Sequence, residues 1–548
     1  MPQSLFTMAF DVQPRNVDAL RRRIVEFRTA VEQPQAAGPD VDAYDAFATA
    51  VPGLHFASVM IFEDQRYDPL LTVEMNVDGE PGTFLPQIEI PALQPFFREM
   101  IRCCKRPRGR AGDMYDAVVA PGSKVPLTPF LESRIIKPAV FHQGNRGLDR
   151  DRIRAEADLF VAAQKALAAP ELYRGTKASD VHKGLRAALI GRYPWLAVPE
   201  PERWSFSERF ADYARLLGFI ALTLFCLSAP GMVLALLTPW WVTILIGIVG
   251  ALILWRMIPD VGSALGAFSE AAPKVPDLPV VSPTSLTQKL TQAVYFVLFF
   301  VAYIVLVALA FAVLLSPFHI GEFGDLYCNS LKVVGIGLLT IELPLMAILV
   351  WLRWLEESDP VQEDPHDDPD KLRAIMALED QISQNHMGSV VLIKPGALRA
   401  VILRVGLWGL GYLLRVTATD GYLASMRTIH FAHWAIVSSG SRLAFYSNFD
   451  SSWESYLDDF IEKAHAGLTL AWTNGVGFPY TQFLVNLGAS NGRLFKAWAR
   501  HSMAEGLFWF SAYKDLSVNQ IERQYRIAKG LRQPTLSDAE ANLWIRDL

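Results

Sequence analysis

The sequence predicts an α+β protein whose two similar ends, each of β-α-β-β-α-β order, are separated by an inserted four-helix transmembrane region. Two observations carry this. Four long apolar runs, almost free of charge, sit between residues 214 and 354. On either side of them, stretches far apart in the chain repeat one residue pattern, and self-similarity of this kind reports the architecture before any local propensity does.

The composition agrees. The chain has 548 residues, a net charge of −5, 51% hydrophobic and 20% charged residues, against about 25% charged in an ordinary soluble domain. That apolar tilt excludes a disordered protein. A pI near 6.1 gives no electrostatic case for nucleic acid, and none is expected as a partner. Four cysteines are too few for a disulfide scaffold at this length.

The apolar excess has a location. Leu216–Leu237 and Thr238–Trp255 carry no charge, Leu290–Gly321 carries none, and Val333–Leu352 carries only Glu342. A bilayer core needs about 20 apolar residues of helix, so spans are expected at about 214–237, 239–257, 291–315 and 332–354. The first two form a hairpin across Thr238-Pro239, with Trp240 and Trp241 at the interface. Arg203, Arg209, Arg215, Arg256, Lys274, Lys289 and Arg353 flank one side. The loop on the opposite side holds Glu322 and Asp325 and no cation before Lys332. Basic residues favour the cytoplasm, so a multi-pass protein of the inner (cytoplasmic) membrane is expected, with both terminal domains cytoplasmic. The segment MPQSLFTMAF lacks the basic-then-apolar order of a cleavable signal, and Cys103 and Cys104 are expected reduced. The stretch Ala397–Val416 is also long and apolar, but Arg399, Arg404 and Arg415 make spanning costly. A core helix, or one lying on the bilayer, is expected there.

The repeat begins at His55-Phe56-Ala57 and again at His430-Phe431-Ala432. Each copy reaches Asn-x-Asp at the end of a second strand-like run, Asn76/Asp78 and Asn448/Asp450, with Leu85 and Leu457 seven residues beyond. Around the first copy the pattern gives a strand over 4–12, an amphipathic helix over 15–28, strands near 54–62 and 69–77, a helix over 91–104 and a strand over 135–142. Around the second it gives a strand over 389–394, a helix over 395–416, strands near 428–437 and 442–448, and a helix over 452–465 opened by a Ser451/Glu454 capping box. Strands at 468–473 and 507–513 and a helix over 517–530 follow. The expected organisation is therefore 1–150, an N-terminal half; 151–212, a helical connector; 213–356, the transmembrane region; 357–380, an acidic linker; and 381–548, a C-terminal half.

The β-α-β-β-α-β order is the ferredoxin-like unit. Two copies can pair their uncovered sheet faces, and this resembles the dimeric α+β barrel superfamily, which includes dye-decolorizing peroxidases, chlorite dismutases and small monooxygenases. The Gly-x-x-Asp-Gly signature of those peroxidases is absent; Gly147-Leu148-Asp149 and Asp420-Gly421 do not complete it. The C-terminal half, through QNHMGSVVLIKPG, TIHFAHWAIV and YSNFDSSWESYLDDFIEKA, also looks like a group of uncharacterised bacterial multi-pass membrane proteins. The barrel resemblance implies a haem cofactor, with His465 or His501 as axial ligand and, for His465 only, Arg500 as a distal group.

From the residues themselves, His55 and His430 are either a symmetry-related acid/base pair or strand-ending groups bonded locally; retention of both copies fits the local role better. Asp78 and Asp450 are either carboxylates at a cleft mouth or turn and helix caps. The cleft between the halves is the default ligand site, lined by Phe56, Phe431, Trp434, Trp472 and Tyr513. Beside a bilayer, a hydrophobic or lipid-derived small molecule suits it. Glu342 is an intramembrane carboxylate beside Pro344. His366, Asp367 and Asp368 read as part of a solvated linker, and no metal is expected. Phosphate-loop, dinucleotide and nucleophile-elbow motifs are missing. Two functions follow: a membrane-anchored binding or scaffold module, or a membrane-tethered oxidoreductase of haem-peroxidase or monooxygenase type. The oligomeric state is not legible.

Overall fold

A computed structural model describes residues 3–32, 43–64, 67–91, 93–167, 175–270, 286–318, 322–359, 368–418, 420–423 and 426–548; at 43–46, 257–270, 286–289, 291–293 and 296 only the backbone is described. The protein combines helices with antiparallel sheets. Eleven strands are described: β1 (Gln3–Asp11), β2 (Leu54–Phe62), β3 (Leu70–Asp78), β4 (Ile135–Ile136), β5 (Val140–Gln143), β6 (Gln384–Leu392), β7 (Ile429–Val437), β8 (Arg442–Asp450), β9 (Thr481–Gln482), β10 (Asn486–Leu487) and β11 (Gly506–Ser511).

The two large sheets exchange strands. The first has the order β11-β2-β3-β1-β4 and the second β5-β7-β8-β6. Thus β5, from the N-terminal end, pairs with β7, and β11, from the C-terminal end, pairs with β2. Both crossing segments begin on one sheet and finish on the other. Ile135 and Ile136 pair with β1 before β5 joins β7. Met503 bridges Ser389 of β6 before β11 joins β2. The single strand expected over 135–142 is therefore two short ones, because the chain between them steps from one sheet edge to the other.

Side-chain alternation sorts the strands into two faces. Phe6, Met8, Ala57, Val59, Ile61, Leu71, Val73 and Met75 pack under the helices of the first sheet. Ala432, Trp434, Leu443, Phe445 and Phe449 do the same for the second. The opposite faces meet in a layer containing Ala9, Met60, Phe62, Leu70, Ala435, Val437, Ala444 and Tyr446. Gly388 allows the close approach there: a Cβ on it would lie 2.3 Å from Met60 Sδ.

Two local expectations change. Residues 468–473 are not a strand; the helix Trp453–Trp472 runs through them, kinked at Ala464 (φ −148°, ψ 21°). Its N-cap is Ser452, which accepts from Ser455 N, while Ser451 sits at φ 67° in the preceding turn. The residue that caps must be extended, and Ser451 is left-handed.

Four described helices are long and apolar enough to cross a membrane: Phe206–Leu237, Val297–Phe318, Phe323–Glu357 and Ala397–Thr417; Trp240–Arg256 is a shorter apolar helix. Phe323–Glu357 is interrupted between Leu339 and Glu342. The turn at Thr238 leaves Trp240 and Trp241 exposed. Of the acidic linker, residues 360–367, including His366 and Asp367, lie outside the described residues. So does Lys274, and nothing is described of the Lys289 side chain. Asp368 caps the helix Pro369–Met376 by accepting from Asp370 N.

Three charged junctions tie the apolar helices to the sheets. Asp212, on Phe206–Leu237, accepts from Arg146 (2.5 Å), Arg415 (2.7 Å) and Arg215 (3.2 Å). Glu356 pairs with Arg353 at 2.7 Å and accepts from the backbone N–H groups of Phe483 and Leu484, each at 3.0 Å. Asp359 takes Lys394 at 2.8 Å and Arg399 at 2.7 Å. Asp212 and Glu356 are 3% and 2% exposed, so each carboxylate has left water and depends on its cations and N–H donors for solvation.

Candidate functional site

The strand ends place two matching clasps. His55 Nε2 lies 3.0 Å from Asp78 Oδ1, and His430 Nε2 lies 2.9 Å from Asp450 Oδ1. The second oxygen of each aspartate accepts from the first backbone N–H of a helix: Arg150 N for Asp78 and Val518 N for Asp450, both at 2.9 Å. Those helices, Arg150–Ala166 and Val518–Arg532, each follow a crossing strand. Each clasp therefore joins a strand start, a strand end and a helix N-terminus, where negative charge is favoured. Burial pushes the Asp78 carboxyl up, but the hydrogen bond and charge of His55 and the Arg150 N–H outweigh it and hold it below the ordinary range.

The clasps differ at one atom. Tyr513 OH lies 2.9 Å from His55 Nδ1, whereas His430 Nδ1 is buried without a hydrogen-bond partner. Gly144 and Ala512 bond the carbonyls of His430 and His55 in the same way. The residue after Gly144 is Asn145, which donates to Glu522 at 2.9 Å instead.

Deeper between the sheets lies a polar network that the sequence reading missed. Glu74, 1% exposed, accepts from Asn76 Nδ2 at 2.9 Å and Ser58 Oγ at 3.1 Å. From the other sheet, His433 Nδ1 stands 3.7 Å from Glu74 Oε1, and its Nε2 bonds Thr7 Oγ1 at 2.9 Å. The His433 ring stacks on Tyr446, with centroids 5.2 Å apart. Asn448 Oδ1 receives Trp509 Nε1 at 2.8 Å and faces His386 Nδ1 at 3.0 Å. Burial pushes the Glu74 carboxyl up to about 7, against the hydrogen bonds from Asn76 and Ser58. Burial pulls His433 down to about 3, aided by His386, and His386 itself down to about 4. The network is therefore uncharged between about pH 4 and pH 7, as burial of these groups requires. A signal was present: Thr72, Glu74 and Asn76 place polar groups at period two inside an otherwise apolar strand.

The aromatic residues expected to line one cleft divide. Phe56, Phe431 and Tyr513 come together, with Phe56 5.5 Å from Phe431 and 5.3 Å from Tyr513. Trp434 and Trp472 pack with Phe445 on the helix side of the second sheet. Strand parity explains this: Phe431 and Trp434 are three apart and point to opposite faces. The first group is buried and belongs to the hydrophobic core of the first sheet.

A haem does not fit the residues proposed for it. His465 is bonded through Nδ1 to Ile461 O at 3.2 Å, one turn back on its own helix. His501 is exposed at the end of the helix Gly492–Ser502. Arg500 is held by Glu379 and Glu454 and lies 3.6 Å over the Trp453 ring. The cavity beneath the second sheet, bounded by Tyr456, Trp472, Phe495 and Trp498, measures about 20 Å³. That holds one water, while a cofactor site needs hundreds of Å³. A surface hollow of about 310 Å³ beside Arg110, Asp113 and Phe130 contains none of the expected site residues. Glu342 lies against Gly247 and Gly250 of the neighbouring apolar helix. No group of three His, Cys, Asp or Glu suited to a metal occurs among the described residues.

Comparison of the chain with family models, curated proteins and solved structures finds no match.

Proposed function

We propose that the chain is a membrane-anchored scaffold: two ferredoxin-like halves, related by duplication, close into one α+β barrel held at the cytoplasmic face of the inner membrane by a four-span insert. The strand exchange supports the barrel, because each half completes the other's sheet. The matching His–Asp clasps support the duplication. The flanking arginines support the cytoplasmic side. The observation that carries the function is the set of charged junctions at Asp212, Glu356 and Asp359, which couple the apolar helices to the barrel so that a displacement of either moves both. The buried ring packing of Phe56, Phe431 and Tyr513 where a cleft was expected favours this over the ligand-binding and oxidoreductase alternatives. Native mass spectrometry and an absorption spectrum of the purified full chain test it. A ligand-free mass, no Soret band and no peroxide turnover are expected. A stoichiometric small molecule, or turnover, would overturn the scaffold reading.

A further inference from the structure

The helix Ala397–Thr417 has the length and apolar composition of a membrane span, but the sheets forbid it to be one. It is preceded in the chain by β6 and followed by β7 and β8, and β6 and β8 are hydrogen-bonded neighbours along nine residues. A helix whose flanking strands pair in one sheet begins and ends on the same side of a bilayer. Its ends also report where it lies. Arg399, near its start, reaches Leu355 O and Asp359 at the end of Phe323–Glu357. Arg415, near its end, reaches Asp212 close to the start of Phe206–Leu237. Between these, Tyr412 packs on Phe219, and Gly409 lets that ring approach closely. The helix therefore runs from the emergence point of one apolar helix to that of another.

Its two faces differ as this position requires. Leu403 and Leu407 are buried against the second sheet and its helices. Ala397, Val401 and Trp408, spaced to share one face, are exposed, the last two at 57% and 54%. Arg404 shares this outer side; its guanidinium bonds Ala400 O and reaches Gly440 in the β7–β8 turn. Long cationic side chains that lean away from an apolar stripe suit an interface, where the head stays in water. At about 1.5 Å per residue, its 21 residues cover about 30 Å.

We infer that Ala397–Thr417 is a membrane-surface helix: it lies in the plane of the bilayer, with Ala397, Val401 and Trp408 in the headgroup–acyl boundary, and adds a lipid-facing platform to the spans. The occupant is the lipid bilayer itself, because the stripe is continuous with helices that are apolar enough to enter it. Membrane binding through the stripe holds whether or not the barrel acts as a scaffold.

Site-directed spin labelling of the full chain in phosphatidylcholine–phosphatidylglycerol vesicles tests this. Exposed Cys226 and Cys328 are first replaced by Ser. Single labels then go at Ala397→Cys, Val401→Cys and Trp408→Cys, with Val249→Cys, exposed on the helix Trp240–Arg256, as a reference inside the bilayer. Depth is read from the accessibility ratio of oxygen to a nickel chelate. Three labels at one shallow depth, oxygen-favoured but well above the Val249 position, are expected. A steady descent toward the bilayer centre from 397 to 408 would overturn the inference in favour of a span. Nickel accessibility equal to free label at all three would overturn it in favour of a bare protein surface.

Discussion

Tyr513 closes on His55 across a separation of 458 residues, its hydroxyl 2.9 Å from Nδ1. Because Asp78 takes the Nε2 side of the ring, the Tyr513 hydroxyl is what satisfies Nδ1. Tyr513→Phe leaves that buried nitrogen unsatisfied, at about 2 kcal/mol. Denaturant unfolding of the purified chain should show this loss, and a cycle with His55→Ala should show coupling. Asn145→Ala should show no coupling to His430, since no bond joins them.

The buried carboxyl of Glu74 makes stability depend on pH. Its folded value, near 7, lies above the ordinary carboxyl range. The unfolded state therefore releases the proton first. The stabilising effect of protonated Glu74 is complete below about pH 4.5 and is lost as pH rises through 7, by about 3 kcal/mol in all. Glu74→Gln should flatten that slope. Melting temperatures at pH 5 and pH 8 measure it; an unchanged slope in the variant would place the titration elsewhere.

Asp212 behaves in the opposite sense. Burial raises its carboxyl, but hydrogen bonds from Arg415 and Arg146 and their charges bring it below the ordinary range. The stability it contributes is present at neutral pH and disappears as pH falls through the depressed value. Asp212→Asn should cost about 2 kcal/mol at pH 7 by leaving Arg146 and Arg415 without a counter-charge. Hydrogen exchange should then rise first around β5 and the end of Ala397–Thr417.

Gly144 lies where β5 leaves the second sheet, and a Cβ there would come within 2.3 Å of Ile429 O. Gly144→Ala should destabilise by about 2 kcal/mol or more, since backbone must move. Gly191→Ala, with nothing within 4 Å of its added carbon, should be close to neutral in the same assay.

Local pattern carried much of this fold. The apolar runs marked the membrane helices, and His55-Phe56-Ala57 with His430-Phe431-Ala432 marked two strands of like register. Asp78 and Asp450 read as local caps, whereas the helix starts they bond lie 72 and 68 residues further on. What local pattern lacks is partner choice. Nothing in Val140–Gln143 says that it pairs with Trp434 and its neighbours rather than with β1, because an edge strand's hydrogen bonds are the same on either sheet. The cleft residues failed on parity: counting by twos from Phe431 reaches His433 and skips Trp434. Counting by twos from Thr72 would have reached Glu74.

The exchange of β5 and β11 has a consequence for biosynthesis. When the first half leaves the ribosome, β2 has an open edge, and the strand that will cover it has not yet been made. Every apolar helix must be inserted before that strand appears. The nascent first half therefore waits with an unpaired, apolar strand edge, which invites association with other chains. Production of this protein should respond to chaperone supply and translation rate more than its final stability would indicate, and the two sheet-bearing ends expressed apart should each be insoluble yet recover when expressed together.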